Sequence, residues 1–320
     1  MDYRKLISFG KSSFIISLPK TWITHNKLKK GDLIYIEESG PNLLLSNHDF
    51  AKTNEERSIN IDIDGKKWEM IVREVNSAYI QNIRTIVLKG KEIKNKIKEL
   101  QSMVQNLIAL EIMEQTSDSI VAKDFLNMEK VSVEELLRKM DIVTRTMIDE
   151  CCKIFKEDNY ESTNERDKDV NRLYFLIYRA ILFNLDKPAN ALKRFKLTPI
   201  DLMYYYSKSF YIEGIADEAR RSARFLRTLK ISVAEKSRIE ELMKQIKQFY
   251  LETIKAAYNK DAELALNISN RKKLFNLEID EIEKKYLAQE NFSSAMSRLR
   301  RLIGYIHSLG RVIYTTGNYY

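Results

Sequence analysis

The chain of 320 residues carries 54 Lys and Arg against 45 Asp and Glu, a net charge of +9, with 44% hydrophobic residues, 9 Gly, 4 Pro and 2 Cys. That length supplies two or three domains with their own cores, and so few helix breakers let much of the chain after about residue 130 run as long helices. The two cysteines are the neighbours Cys151 and Cys152, which exclude a disulfide framework and lack metal-ligand spacing.

From Met1 to about Asn47 the pattern reads strand, basic turn, strand, short helix, strand, turn, strand. Lys5 to Phe9 and Phe14 to Leu18 are strand-like, the second an apolar, β-branched run closed by Pro19. Between them, Gly10-Lys11-Ser12 matches the tail of a phosphate-cradling loop. Such a loop needs another glycine five residues earlier and a helix after it. Lys5 holds the glycine position and a strand follows, so no nucleotide is expected. Lys20 to Lys27 is the helical piece. Leu33 to Ile36 follows the Gly31-Asp32 turn, and "SGPN" returns the chain into Leu43-Leu44-Leu45. Seven Lys and Arg against two Asp lie in the first 36 residues, so about half of the net charge sits in the first tenth of the chain. Four short strands in under 50 residues bury little surface alone. A homodimer through residues 1–47 is expected, covering Phe14, Ile16, Leu33, Tyr35 and Leu44.

Residues 57–126 alternate elements. Ile59 to Ile63 has the period-2 pattern of a half-buried strand, Trp68 to Gln81 reads as helix and Ile83 to Leu88 as strand. Lys91 to Asn106 is a charged helix, and Leu107 to Met113 with Ser119 to Leu126 form a closing pair of strands, giving a small α/β domain.

From Ser132 onward helices dominate. Ser132 with Glu135 three residues later is a capping box at the first start. Further helices are expected at about Ser162 to Asn184, Thr198 to Leu229, Val233 to Tyr258, Asp261 to Ala288 and Phe292 to Tyr314. Short connections, including Lys187 to Lys196, make successive helices antiparallel neighbours. The six helices divide into an internal repeat of two three-helix bundles, 132–229 and 232–316.

Asp167 and Asn171 lie four apart on the second of these helices, and Glu213 and Asp217 do so on the third, so each pair shares a face. If Asp167 and Glu213 meet across the bundle, their oxygens converge on one hard or intermediate cation. The other account is a solvated polar stripe, since i,i+4 acidic pairs are common on helices. A di-iron oxidase needs Glu-x-x-His pairs, and His25, His48 and His307 all lack a Glu three residues earlier. None has a nucleophile or metal partner near it in sequence, so an enzyme is not expected. Tyr204, Tyr205 and Tyr206 read as bundle packing rather than base stacking. No apolar run approaches the roughly 20 residues of a membrane span, and the opening "MDYRKLISFG" lacks an apolar signal core, so a cytoplasmic protein without membrane insertion is expected.

The stretches "ERDKDVNRLY" and "EGIADEA" resemble the two acidic helix motifs of the PhoU family of phosphate-uptake regulators. "FGKSSFIISLPKTWITHNKLKKGDLIYIEE" resembles the AbrB/SpoVT-type swapped-hairpin DNA-binding domain. Their combination, with a small α/β domain between, is similar to archaeal PhoU-like regulators and spans nearly the whole chain. The resemblance implies a multidomain fold: an AbrB-like swapped-hairpin β domain, a small α/β middle domain and a C-terminal all-α pair of PhoU-like three-helix bundles. It implies a divalent or iron-type metal ion at one bundle site formed by Asp167, Asn171, Glu213 and Asp217. It also implies DNA contact through Arg4, Lys5, Lys11, Ser12, Ser13 and Lys20. Asn171 stands where the family has Asp, and Glu218 where it has His; in the second repeat Arg301 and Tyr305 take the places of Glu213 and Asp217. The implied function is a transcriptional or signalling regulator of phosphate uptake that senses metal, phosphate state or a transporter partner. A phosphate-transporter ATPase or a sensor kinase is the implied partner. The alternatives are a dimeric adaptor acting on a phosphate transporter by protein contact alone, and a metal-dependent enzyme of the helical bundle.

Overall fold

The computed structural model describes residues 3–39, 42–47, 57–286 and 291–316. The chain divides into two compact units, residues 1–55 and 56–320.

In the first unit, β1 (Ile7–Phe9) pairs antiparallel with β2 (Ser13–Ile15), Ile7 opposite Ile15 and Phe9 opposite Ser13. Gly10 turns the chain between them at φ +71°, where a Cβ would be strained. Helix α1 (Lys20–His25) follows Pro19, and β3 (Tyr35–Ser39) pairs antiparallel with β4 (Asn42–Ser46). The expected order of elements is present. The turn expected at "SGPN" centres on Gly40 and Pro41, which lie outside the described residues, as does His48. No side chain described in this unit is fully buried. Phe14 is 66% exposed, Leu33 73% and Ile16 53%, so two separate hairpins leave their apolar residues in water.

The second unit opens with a sheet. Strands β5 (Ser58–Asp62), β6 (Thr85–Lys89), β7 (Leu110–Gln115) and β8 (Ser119–Asp124) stand in the order β5-β6-β8-β7, with β5 and β6 parallel and the other pairs antiparallel. Helices α2 (Trp68–Ile80) and α3 (Ile93–Gln105) cover it. Alternation decides the buried face: Ile120, Ala122 and Asp124 of β8 point inward, joined by Ile86 and Leu88 of β6. Ile71 and Val75 of α2 and Leu100 and Val104 of α3 complete this core.

The remainder is helical: α4 (Val133–Cys152), α5 (Tyr160–Asp186), α6 (Pro188–Phe195), α7 (Pro199–Leu226), α8 (Val233–Asn259), α9 (Ala262–Ser269), α10 (Arg271–Lys284) and α11 (Phe292–Thr316). Capping sets several starts. Ser132 Oγ accepts from the Glu135 N–H, Ser232 accepts from Glu235, and Thr198 with Asp201 forms a reciprocal box. Two expectations need correction. Lys187 to Lys196 is not a plain connection: Pro188 sits at the first helical position and Ala191 is buried, so the segment coils into α6. The helix expected over Asp261 to Ala288 is interrupted at Asn270 and becomes α9 and α10, with Ala288 outside the described residues. Residues from Met128 to Ile313 share one continuous hydrophobic core, so the two helix sets are packed into a single body. Among the described residues no helix is long and apolar enough to cross a membrane.

Close approach of α7 and α11 is written into one glycine. A Cβ built on Gly214 would lie 2.7 Å from the Tyr305 ring, well inside van der Waals contact, so only glycine admits that ring. Cys151 and Cys152 are free thiols within the core; burial pushes the Cys152 thiol up to about 11, which leaves it a thiol at neutral pH.

Candidate functional site

The basic residues expected to meet DNA lie in and beside the first hairpin. Lys11 and Ser12 form its turn, Ser13 opens β2, and Lys20 begins α1. Arg4 and Lys5 precede β1, beyond the open end of the hairpin, so the structure sets them at the opposite end from Lys11. All six side chains are exposed. Lys5, Lys11 and Lys20 make no side-chain ion pair or hydrogen bond among the described residues. Their charges are therefore open to a polyanion.

In the helical body the sequence pairs do converge. Asp167 and Asn171 on α5 face Glu213 and Asp217 on α7, and the two helices are in direct contact. Arginines, which the sequence reading left out, decide the character of the cluster. Arg220 Nε lies 3.1 Å from Asp167 Oδ2, while its Nη2 donates to Asp217 Oδ1 at 2.7 Å. Arg221 holds the other Asp217 oxygen at 2.9 Å. Asn171 Nδ2 donates to the Asp167 carbonyl at 3.0 Å and to its carboxylate at 3.3 Å, so the amide turns its donor, not its carbonyl, toward the acid. Glu213 alone has no side-chain partner among the described residues. Burial, with the Asp217 and Asp167 carboxylates, pushes its pKa up from 4.5 to about 7.

This arrangement does not fit a resident cation. A guanidinium occupies the space between Asp167 and Asp217 that a metal would need, and a positive charge there repels another. Among the described residues no group of three or more His, Cys, Asp or Glu is disposed to hold a metal ion.

Beside the cluster, Glu218 is 2% exposed and lies within ion-pair distance of Arg298 (3.4 Å), Arg221 (3.6 Å) and Arg301 (3.6 Å). Arg301, which the repeat alignment matches to Glu213, thus serves a carboxylate on α7 instead of a cation. The signal was present in the sequence: Arg220 and Arg221 follow Asp217 by three and four residues, the spacing of helical ion pairs. Tyr205 and Tyr206 pack against the helical core, and the Tyr206 ring lies 5.0 Å from that of Tyr178.

A second polar joint fastens the sheet to the helices. Arg179 on α5 is buried and grips Asp124 at the end of β8 through both Nη atoms, at 3.0 and 2.5 Å. Its Nε donates to Asn82 Oδ1 at 2.9 Å, and its guanidinium lies 4.6 Å from the centre of the Tyr79 ring. Between α4 and α8, buried Asp141 of α4 accepts from Tyr250 and Tyr258 of α8 at 2.9 and 3.0 Å and from Arg145 at 2.6 Å. Both are satisfied structural networks.

No family model matches the chain, and no curated protein matches it. Among solved structures, the crystal structure of PhoU from Pseudomonas aeruginosa is similar to 57% of this chain and 90% of that one, with 16% identity and a TM-score of 0.45.

Proposed function

We propose that this chain is a dimeric, non-enzymatic regulator that binds DNA through its first unit, with the helical body as its responsive part. The observation that carries this reading is the state of the first unit. Its two hairpins and the residues beside them leave Ile7, Phe14, Ile16, Leu33 and Leu44 in water, and Lys5, just before β1, and Lys11, in the β1–β2 turn, have no side-chain partner among the described residues. Two-stranded hairpins are marginal alone, and each apolar side chain withdrawn from water contributes roughly 1.5–3 kcal/mol. A second copy supplies a self-complementary cover and doubles every cationic contact. Phosphate uptake as the regulated process, with a transporter ATPase or a sensor kinase as signalling partner, enters from the sequence resemblance. The metal role is set aside in this reading because Arg220 fills the acidic site.

Light scattering on the intact chain at micromolar concentration tests the dimer: twice the chain mass supports it and a monomer contradicts it. Replacing Phe14 and Ile16 with Glu removes the proposed cover and yields monomers whose helical body still unfolds cooperatively. A dimer that binds no DNA turns the reading into the adaptor, acting by protein contact alone.

A further inference from the structure

Helices α2, α3 and α5 enclose a cleft of about 600 Å³ where the sheet half of the second unit meets the helical half. That volume lies within the roughly 300–1,000 Å³ of small-molecule sites. Trp68 of α2 and Phe175 of α5 line it, each partly buried and each packed against the α/β core. They give it flat, firmly held apolar walls.

The charge in the cleft is unbalanced. Lys98, Lys168 and Arg172 line it against the single carboxylate of Glu99. Lys168 is engaged by Glu165 at 2.7 Å. Lys98 has no side-chain partner among the described residues. Arg172 reaches Asp169 only through Nη1, at 3.6 Å, and its Nε is buried with no hydrogen-bond partner. A buried donor left without an acceptor is costly, and an anionic ligand would supply that acceptor. The side-chain amide of Asn76, also on the lining, makes no hydrogen bond among the described residues.

We propose that this cleft binds a nucleoside monophosphate. The base lies against Trp68 and Phe175, the Asn76 amide meets its polar edge, and the phosphate takes Lys98 and Arg172. Lys98, with no side-chain partner among the described residues, and Arg172, held by Asp169 only at 3.6 Å, match one phosphate, whereas a longer polyphosphate chain would meet Glu99. A glycine-rich loop is not required, because side chains of α3 and α5 hold the phosphate here. The site is independent of DNA binding by the first unit.

The experiment uses the full chain with Trp22→Phe, which leaves Trp68 as the one tryptophan. Titration with AMP, GMP, CMP and UMP is followed by Trp68 fluorescence and by calorimetry. The expected result is saturable quenching by at least one of them, with a Kd at or below about 1 mM. Lys98→Ala and Arg172→Ala each weaken binding by about tenfold or more, the loss of a charge-assisted contact. Lys98 is exposed, so its replacement leaves the fold in place. The matching nucleoside and inorganic phosphate alone each bind more weakly than the monophosphate. Absence of saturation by all four nucleotides up to about 1 mM, unchanged affinity in both variants, or phosphate binding as well as the nucleotide would each overturn the proposal.

Discussion

Arg179 and Asp124, 55 residues apart in sequence, form a fully buried two-pronged ion pair that joins helix α5 to the last strand of the sheet. Asp124 also accepts from Arg84 Nη1 at 3.1 Å, so removing Arg179 leaves the carboxylate one partner, whereas removing Asp124 strands the buried guanidinium with only Asn82 and the Tyr79 ring. Asp124→Ala is expected to cost about 3–5 kcal/mol in urea unfolding, Arg179→Ala to cost less because Arg84 keeps the carboxylate paired, and Arg179→Met with Asp124→Leu to cost less than Asp124→Ala. Single replacements costing under about 1 kcal/mol would show that the joint is wet rather than sealed.

Glu213 gives the helical body a pH dependence of its own. Its folded pKa, about 7, lies above the ordinary 4.5 of a free Glu, so the native state holds the proton more tightly than the unfolded chain. That contribution is complete below about pH 4.5 and is lost as pH rises through about 7. Glu213→Gln is therefore expected to gain on the order of 2 kcal/mol over the parent between about pH 5 and about pH 8. Parallel stability profiles for the two proteins would place the Glu213 carboxylate in water.

Arg220 and Arg221 should decide whether the acidic cluster accepts a cation. Manganese or zinc is expected to leave the melting temperature of the parent unchanged, whereas Arg220→Ala combined with Arg221→Ala frees Asp167 and Asp217 to face Glu213 without either guanidinium. In that variant a bound cation stabilises the fold by mass action, by about 2.7 kcal/mol at a hundredfold excess over Kd. Cation-dependent stabilisation of the parent would show that the two arginines yield the site to metal.

The crossing of α7 and α11 has a steric test. Gly214→Ala drives a methyl group into the Tyr305 ring and should cost about 1–3 kcal/mol, the usual range for overpacking. Adding Tyr305→Ala should recover part of that loss. Equal costs for the single and double variants would mean that the helices separate in response.

What was legible in the sequence was local. Ser132 with Glu135 and the period-2 run from Ile59 to Ile63 announce their elements through spacings of a few residues. The break at Asn270 was hidden because apolar periodicity continues across it, and α6 because Lys187 to Lys196 looks polar until Ala191 is seen to be buried. At the acidic cluster, Asp167, Asn171, Glu213 and Asp217 were found from i,i+4 spacing, but their neutralisation by Arg220 was missed although it stands on the same helix. Arg179 with Asp124 and the cleft between Trp68 and Phe175 join distant segments, and no local pattern encodes such meetings.

The most direct test of the regulatory reading is the salt dependence of DNA binding by the intact chain, measured by fluorescence anisotropy on duplexes from upstream of phosphate-transport genes. In the proposed dimer Arg4, Lys5 and Lys11 from two copies would neutralise about four to six phosphates, so log affinity should fall with log salt at a slope of about −4 to −5. Replacing these three residues with Ala should flatten the slope and weaken binding while light scattering still reports a dimer. No binding by the parent at low salt, or the same slope in the triple variant, would contradict the account.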